Sequence, residues 1–257
     1  MAGKVLVGGT AYSITGGKAC VGGTAYTING GKTLIGGTAY SIPFQTEPKE
    51  YTVADLLSRI NLITIAGRNS NTSGEVQMTI STNGTYFLFV FCYSHIGIYK
   101  VVKSGSISTT LVKKTGTNYC NINVVDSTHI RYMGETGSYN VYGATMALVQ
   151  FRAYTVDEAN TLLSGATLTA SGGRNNAQPN TVSITVSNAR GKIVAAATDT
   201  YVAFSQAPSS VSGSIELLYG NNTTNPTLTR LVSSNYYLSL NGTSNASVYG
   251  GTMSTIV

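Results

Sequence analysis

Short runs of alternating apolar and polar residues fill most of this chain, separated by glycine, asparagine and serine. Alternation with a period of two is typical of β-strands that bury one face. In the middle of the chain the pattern predicts seven strands at roughly regular spacing. They lie at residues 75–81, 85–93, 96–102, 107–113, 119–125, 128–133 and 139–152. The sequence therefore predicts an all-β fold of the sandwich or jelly-roll type.

One of these runs, Tyr86-Phe87-Leu88-Phe89-Val90-Phe91, is apolar at every position. A strand that is apolar on both faces belongs at the centre of a sheet, with another layer on each side. Its counterpart in the second half of the chain, Ile193-Val194-Ala195-Ala196-Ala197, has much smaller side chains. We expect other residues to fill the second core there, with Tyr201, Leu217 and Tyr237 as the candidates.

The chain from residue 51 to residue 257 repeats one set of landmarks twice. The spacing from Gly84 to Gly191 is the same as the spacing from Tyr142 to Tyr249. The longer matched segments are Gly67-Arg68-Asn69 with Gly173-Arg174-Asn175, Ser104-Gly105-Ser106-Ile107 with Ser212-Gly213-Ser214-Ile215, and Tyr142-Gly143-Ala144-Thr145-Met146 with Tyr249-Gly250-Gly251-Thr252-Met253. A register kept over this distance predicts two homologous sandwich domains in tandem, residues 51–153 and 154–257.

A helix-capping pattern opens each copy. Thr52 is followed three residues later by Asp55, and Thr155 is followed three residues later by Glu158. Threonine with an acidic residue at this spacing marks the start of a helix. Leucine pairs follow in both copies, so each sandwich is expected to be preceded by a short helix.

Three short repeats of equal length precede the two copies. Residues 3–44 read GKVLVGGTAYSITG, GKACVGGTAYTING and GKTLIGGTAYSIPF. Two β runs around a Gly-Gly pair are the pattern of a tight hairpin. Because each repeat has an even number of residues, equivalent side chains return to the same strand face. The residues expected to line up in this way are Tyr12, Tyr26 and Tyr40, and Ile14, Ile28 and Ile42.

A single hairpin cannot bury its own apolar face, so these repeats need stacked neighbours, another chain or a docking surface. We expect the aligned tyrosines and isoleucines to serve assembly or attachment, as an anchor or a short intertwined shaft. The alternative is a three-hairpin meander that pads the first sandwich. Pro43 and Pro48 end the repeats and mark a linker, so the first region covers residues 1–50.

Charge is sparse and unevenly distributed. Charged residues make up 10% of the chain, against roughly 25% in ordinary globular proteins. The net charge of +6 divides into +2 in residues 1–50, +4 in residues 51–153 and zero in residues 154–257. The one basic cluster comprises Lys100, Lys103, Lys113 and Lys114, which either meets an acidic partner or is simply solvated. Without stacking aromatics or a groove-reading helix beside it, no nucleic-acid partner is expected.

Residues suited to catalysis or metal binding are few. His95 and His129 are the two histidines, and neither is repeated in the second copy. The adjacent acidic pair Asp157-Glu158 is explained by its place in the first turn of a helix. We therefore expect no catalytic residue, no metal site and no cofactor, and we predict that the protein is not an enzyme.

Cysteine usage and hydropathy bear on the compartment. Cys20, Cys92 and Cys120 are an odd number without counterparts in the second copy, which favours reduced thiols and assembly in a cytoplasm. No run reaches the length of about 18 apolar residues that a membrane span needs, so membrane insertion is not expected.

Tyrosine is abundant, with 17 residues and no tryptophan. Most are expected to pack on strand faces. Tyr219, Tyr236 and Tyr237 are the candidates for an exposed platform on which a sugar ring of a host surface glycan could stack.

The repeat core Lys-x-Leu-x-Gly-Gly-Thr-Ala-Tyr-x-Ile resembles short repeats in structural proteins of tailed phages that infect Gram-positive bacteria. It is also similar to the architecture of phage fibre and decoration proteins, in which a short attachment element precedes tandem β-sandwiches. The resemblance implies a virion role as tail fibre, neck or collar appendage, or capsid decoration. The second repeat departs from the pattern at Cys20, and the third ends in Pro43-Phe44. No functional residue is transferred by this resemblance.

Together these observations predict a virion structural protein that is assembled in the cytoplasm of the host bacterium. Its expected partners are other virion proteins and further copies of itself, with a trimer favoured, and host glycan is a further candidate. Two alternatives stay open at this point, a carbohydrate-binding or receptor-binding module and a polysaccharide depolymerase.

Overall fold

The computed structural model describes in full residues 49–134, 139–185, 191–208, 213–229, 235–240 and 246–257. For Arg230 and six short strands near the N-terminus it describes the backbone alone. The chain divides into two compact units, Met1–Lys49 and Glu50–Val257.

The first unit contains three antiparallel hairpins, which share the same strand register. Their strands are β1 (Lys4–Val7), β2 (Thr10–Ser13), β3 (Lys18–Val21), β4 (Thr24–Thr27), β5 (Gly31–Ile35) and β6 (Thr38–Ile42). Strand β1 pairs with β2, β3 with β4, and β5 with β6. The three predicted tyrosines occupy the same register position, with Tyr12 opposite Val5, Tyr26 opposite Ala19, and Tyr40 opposite Thr33.

The isoleucines predicted to line up in these hairpins are only partly covered by the structure. Ile42 pairs with Gly31 at the end of the third hairpin. Ile14 and Ile28 lie outside the described residues. Their alignment with Ile42 therefore stays a prediction.

The first sandwich copy begins with a helix and continues with eight strands. These are α1 (Val53–Ser58), β7 (Ile60–Gly74), β8 (Gln77–Thr79), β9 (Gly84–Cys92), β10 (His95–Ser104), β11 (Ser106–Lys114), β12 (Asn121–Val124), β13 (His129–Met133) and β14 (Val141–Phe151). They form a five-stranded antiparallel sheet in the order β11-β10-β9-β14-β7 and a three-stranded sheet in the order β12-β13-β8. Strands β8 to β14 lie where the alternation pattern predicts them.

The second copy repeats this topology strand by strand. Its elements are α2 (Val156–Gly165), β15 (Leu168–Thr181), β16 (Ser183–Thr185), β17 (Ile193–Thr198), β18 (Tyr201–Gln206), β19 (Glu216–Gly220), β20 (Thr227–Arg230), β21 (Asn235–Ser239) and β22 (Ser247–Ile256). The sheets have the orders β15-β22-β17-β18-β19 and β16-β21-β20. Even a shift in strand register recurs, between Ile98 and Tyr99 in one copy and between Phe204 and Ser205 in the other. The predicted all-β fold with two homologous sandwiches is confirmed.

Among the residues that the structure describes in the second unit, three hydrophobic cores hold the unit together. One lies between the five-stranded and three-stranded sheets of the first copy, and a second lies between the corresponding sheets of the second copy. The third core contains residues of both five-stranded sheets and both helices. The sheets are therefore stacked in four layers of three, five, five and three strands, and the two copies form one unit with a shared core.

Strand β9 shows how the sequence specifies this stack. Phe87, Phe89 and Phe91 point into the shared core, while Leu88 and Val90 point into the core of the first copy. The prediction that this strand is covered on both faces is confirmed. The layer that covers its phenylalanine face is the other copy.

Both helices begin where the capping patterns predict. The Thr52 hydroxyl accepts a hydrogen bond from the Asp55 amide at 3.0 Å, and Thr155 and Glu158 form a complete capping box. Each helix then packs against the edge strand of the opposite copy, α1 against β19 and α2 against β11. The two copies thus exchange their helices.

Two features of the fold differ from the sequence prediction. Strands β7 and β15 were not predicted, because their second halves are polar and rich in turn-forming residues. In each strand an arginine stabilises that half, since Arg68 donates to the Thr72 carbonyl and Arg174 to the Gln178 carbonyl.

The prediction for the residues that fill the second core is wrong. Leu217 is 56% exposed, and neither Tyr201 nor Tyr237 is among the described residues that form the three cores. Phe204 provides the aromatic bulk instead, with its ring centroid 5.2 Å from that of Phe89. Ala195 and Ala197 of β17 lie in the shared core with the phenylalanines of the first copy, whereas Ala196 faces the core of the second copy.

Candidate functional site

The four lysines of the predicted basic cluster do not lie on one surface. On adjacent antiparallel strands, residues directly opposite each other share a face. Lys103 is opposite Ile107, which faces the core of the first copy, whereas Lys113 is opposite Ile98, which faces the shared core. Lys100 lies on the face of Ile98, which is two positions before it in β10. Lys114 lies on the other face, opposite Gly97, whose Cβ position would contact Cys120 in the core of the first copy.

Three of these lysines are held by oxygen atoms of the chain itself. Lys103 is 6% exposed and donates to the Gly105 carbonyl at 2.6 Å. Lys113 donates to the Ser164 carbonyl at the end of α2, and Lys114 donates to Asn121 Oδ1. The predicted common patch for an acidic partner is therefore not formed, and contact of single lysines such as Lys100 with an acidic group stays a prediction.

The three tyrosines predicted to contact a glycan also diverge. Tyr236 is fully buried in the core of the second copy, so its assignment as a sugar platform is wrong. Tyr219 packs partly against the shared core, and burial raises its pKa. Tyr237 is half-buried on β21, in a different sheet from Tyr219. These residues form no joint platform, and the predicted role stays a prediction for Tyr219 and Tyr237, each of which is half-buried.

The histidines and cysteines have local structural partners. His95 stacks on Tyr119 with ring centroids 3.9 Å apart. His129 contacts the Asp126 carboxylate at 2.8 Å, in a turn whose backbone amide at Thr128 helps lower the pKa of Asp126 to about 2. Burial raises the pKa of the Cys92 thiol to about 12, so it is protonated at neutral pH. Within the described ranges, no three metal-binding side chains converge.

The duplicated Gly-Arg-Asn and Tyr-Gly motifs meet at the boundary between the copies. Asn175 Oδ1 accepts hydrogen bonds from the backbone amides of Tyr142 and Gly143, at 2.5 and 2.9 Å. Reciprocally, Asn69 Oδ1 accepts from the amides of Tyr249 and Gly250, both at 2.9 Å. Asn69 of β7 thus binds β22, which is the counterpart of its own neighbour β14. Asn175 of β15 binds β14, which is the counterpart of its own neighbour β22. This exchange has the pattern of a two-fold symmetric dimer interface within one chain.

Glycine is required at the centre of this interface. A Cβ atom on Gly143 would overlap the Cα atom of Gly250, and a Cβ atom on Gly250 would overlap Gly143. A second symmetric crossing lies nearby, where a Cβ atom on Gly67 would overlap the Asp199 carbonyl and one on Gly173 would overlap the Tyr93 carbonyl. The repeated glycines therefore permit the two backbones to touch.

The helix N-termini form a second reciprocal contact. The Tyr154 hydroxyl donates to Asp55 Oδ2 at 2.6 Å, and the Tyr51 hydroxyl donates to Glu158 Oε1 at 3.3 Å. Arg59 also donates to both oxygens of Asp55, and this guanidinium lowers the pKa of the Asp55 carboxyl. The motifs that the sequence repeats are thus used largely to join the copies. Their recurrence at equivalent places was the one signal in the sequence that could have revealed this interface.

A cavity of about 280 Å³ lies where the first copy continues into the second. Its lining includes the strand residues Thr85, Phe87, Gln150 and Phe151 and the α2 residues Val156 and Ala159. The connecting residues Tyr154 and Thr155 contribute the remaining polar groups. Sequence reasoning missed this cavity, because its lining combines strand ends and helix residues that are far apart in the chain.

Comparison with known proteins finds no matching protein-family model, curated protein or solved structure. Neither helix of the described chain is long and apolar enough to cross a membrane.

Proposed function

We propose that the chain is a non-enzymatic structural component of a tailed-phage virion. Its N-terminal hairpins attach it to the particle or to further copies of itself, and its paired sandwiches are presented as one body. Fibre, neck appendage and capsid decoration are the roles within this class.

The observation that carries the proposal is the shared register of the three hairpins. All three place a tyrosine at the third position of the second strand, and each pairs within a two-stranded sheet. Two-stranded hairpins are marginally stable in water without further packing. A tandem of such units is suited to association with other strands or with a docking surface, and a homotrimer is the assembly that we favour.

The paired sandwiches support the same role. Their duplicated motifs stabilise the contact between the copies, and the shared core makes the pair one compact unit. A body of this kind works by shape and by the surfaces that it presents. The formal charge of +4 on the first copy suits contact with the particle, and the neutral second copy suits contact with host glycans.

Virion proteins of this class are assembled in the host cytoplasm, where thiols are reduced. Buried free thiols at Cys92 and Cys120 are compatible with that setting. Other virion proteins are the expected partners.

Light scattering of the full chain beside a version without residues 1–44 tests the assembly role. Loss of a trimer on truncation supports the proposal. Equal oligomeric states for the two proteins contradict the role of the hairpins in self-association.

Mass spectrometry of purified particles tests the virion assignment. We expect the full chain to co-purify with particles and the truncated version to stay in the unbound fraction. Absence of the full chain from particles, or cleavage of host capsule by the purified protein, would overturn the proposal.

A further inference from the structure

We propose that the outer face of the sheet β16-β21-β20, centred on Tyr237, binds one neutral sugar residue of a glycan. This site deepens the contact with host glycans proposed for the second copy, and it rests on that part of the proposed function. It assigns polar contacts to Ser183 and Thr229, one on each side of the tyrosine ring.

The direction of Tyr237 follows from its neighbour in the strand. Successive residues of a strand point to opposite faces of the sheet. Tyr236 is fully buried in the core of the second copy, so Tyr237 points to the outer face. Strand β21 is the middle strand of its sheet, and the half-buried Tyr237 therefore has a strand on each side.

Two hydroxyl groups flank the Tyr237 ring. Tyr237 lies opposite Ser183 of β16 and opposite Thr229 of β20, and residues directly opposite each other share a face. Among the residues that the structure describes, the side-chain hydroxyls of these three residues form no hydrogen bond. Each hydroxyl can donate one hydrogen bond and accept others, as sugar hydroxyls do. The ring and its neighbours thus offer an aromatic surface bordered by groups that pair with a sugar.

Charge separates the ligand classes. At the next register position Asn235 lies opposite Thr185, whose hydroxyl donates to Asn235 Oδ1 at 2.8 Å. The side chains at these two register positions are hydroxyls, one amide and one aromatic ring, and none carries a charge. An ionised group placed here would lose solvation without an opposite charge to compensate. A neutral ligand with an apolar ring face and several hydroxyls fits this surface.

The first copy covers the corresponding place with its own side chains. Arg131 is the third residue of β13, as Tyr237 is the third residue of β21. The guanidinium carbon of Arg131 lies 3.4 Å from the centroid of the Tyr139 ring, and Arg131 Nη1 donates to Glu75 Oε1 at 3.1 Å. A six-membered ring of the protein therefore lies on the central side chain of that sheet.

The second copy lacks both covering groups. Ala246 stands at the position of Tyr139, counted back from the repeated Tyr-Gly motif. Thr181 stands at the position of Glu75, counted back from the first residue of β16 and of β8. Within the described part of the chain, no ring or cation stacks on Tyr237. The place that a ring of the protein fills in the first copy can therefore receive the ring of a sugar in the second.

A cation is the other group that a tyrosine ring attracts. In the first copy a carboxylate, Glu75, accompanies the stacked guanidinium of Arg131. At the two register positions around Tyr237 there is no carboxylate to hold a cation in place. The lining thus favours a neutral ring over a guanidinium or ammonium group.

The test uses the full chain and the methyl glycosides of glucose, galactose, mannose and N-acetylglucosamine. Methyl glucuronide and N-acetylarginine amide serve as an anionic and a cationic comparison. Saturation-transfer NMR detects binding, and a titration gives the affinity. We expect at least one neutral glycoside to bind with a dissociation constant on the order of 1 mM, and at least tenfold more tightly than either charged probe. Failure of all four glycosides to bind, or tighter binding of a charged probe, would overturn the proposal.

Tyr237→Ala is the decisive variant, because it removes the ring. We expect it to weaken glycoside binding at least tenfold. Tyr201→Ala is the matched control, since Tyr201 is also half-buried in the second copy but lies in the five-stranded sheet. It should bind like the unchanged protein, and melting curves show that both variants are folded. Undiminished binding by Tyr237→Ala would contradict the site.

Thr229→Val provides a variant of nearly unchanged shape that removes one flanking hydroxyl. We expect a severalfold loss of affinity, and unchanged affinity would contradict the polar contact at Thr229. Ala246→Tyr restores the residue that the first copy has at this position. It should also weaken binding, because the added ring competes with the sugar, and undiminished binding would contradict the correspondence between the two sheets.

Particle association through the N-terminal repeats is measured separately and is not expected to change in these variants. A chain that co-purifies with particles but binds no glycoside loses this site and keeps the virion role. A chain that binds a glycoside through Tyr237 but is absent from particles keeps the site and loses the virion role. The two proposals therefore fail in distinguishable ways.

Discussion

The two sandwich copies share a topology but differ in side-chain volume where they meet. In the first copy, Phe89 lies opposite Ile98 in the sheet; in the second, Ala195 lies opposite Phe204. All four side chains point into the shared core. The copies have therefore kept their reciprocal hydrogen bonds and glycines while their apolar faces became complementary.

This difference has a physical reason. Two identical faces rich in phenylalanine would overfill the space between the sheets, and two faces rich in alanine would leave a cavity. A large residue on one side and a small one on the other fill the space in a single arrangement. The two apolar faces are therefore complementary, because large side chains of the first copy fit against small side chains of the second.

The largest effect is expected from a side chain that forces the two backbones apart at the centre of the interface. Gly143→Ala places a methyl group on the Gly250 backbone, which cannot rotate away. We expect a loss of about 4 kcal/mol or more in the free energy of unfolding, measured by urea denaturation.

Gly165→Ala is the control for that variant, because nothing lies within 4 Å of a Cβ atom there. It should leave stability unchanged or raise it slightly, since alanine is the better helix former. Equal stability of the two variants would show that the copies do not touch at Gly143.

The next effect concerns the volume difference itself. Phe89→Ala should cost about 3–4 kcal/mol, because it leaves a cavity beside Phe204. Ala195→Phe alone should also destabilise, by overpacking. In the double variant the losses should be less than additive, as a double-mutant cycle in urea would measure. Strict additivity would indicate that the two positions do not share one core.

The asparagines test the symmetric part of the comparison. Asn69→Ala leaves the Tyr249 and Gly250 amides without their acceptor, and Asn175→Ala does the same to Tyr142 and Gly143. We expect each to cost about 2 kcal/mol, with similar values for both. A large effect for one and none for the other in thermal denaturation would contradict a reciprocal interface.

The smallest losses of stability are expected at the two tyrosine–carboxylate contacts, and they should differ in size. Asp55 is 12% exposed and paired with Arg59, whereas the Tyr51–Glu158 contact is longer and exposed. Asp55→Asn should therefore cost about 1–2 kcal/mol and Glu158→Gln less than about 0.5 kcal/mol at pH 7.

The pH dependence of Asp55→Asn checks the assignment. Arg59 lowers the pKa of Asp55 in the folded protein. Its contribution to stability is present above the unfolded pKa of about 3.9 and is lost as the pH falls through the lower folded pKa. The difference in stability between the unchanged protein and Asp55→Asn should shrink as the pH falls below about 4. A constant difference in stability throughout this acid range would contradict a stabilising role of the ionised Asp55 carboxylate.

The sequence predicts the local part of this fold well. Alternation located strands β8 to β14, and the capping residues Thr52 and Thr155 located both helices. These features depend on neighbours within a few positions, so spacing is sufficient to find them. Strand β7 was not predicted, because its polar half is stabilised by a hydrogen bond from Arg68 that the composition does not reveal.

The candidate site was harder to predict, because it depends on which layers face each other. The apolar face of β9 indicated a covering layer, but periodicity does not identify the other copy as that layer. Tyr236 shows the same limit, since one residue of an adjacent tyrosine pair points into a core and the sequence alone does not say which. Asn69 and Asn175 bind backbone amides in distant parts of the chain, beyond the reach of any local pattern.

The central claim is that both copies unfold as one unit, and thiol labelling tests it most directly. Cys92 and Cys120 are buried in the core of the first copy, and the second copy contains no cysteine. In a Cys20→Ser background, Ile184→Ala removes volume from the core of the second copy alone. Thr161→Ala, at an exposed position on α2, serves as the surface control.

If the copies are one unit, a loss of about 2 kcal/mol in the second copy should speed labelling of Cys92 and Cys120 by about 30-fold. The labelling rate of the Thr161→Ala control should stay near that of the Cys20→Ser background. An unchanged labelling rate in Ile184→Ala, with the second copy measurably destabilised, would contradict the shared core.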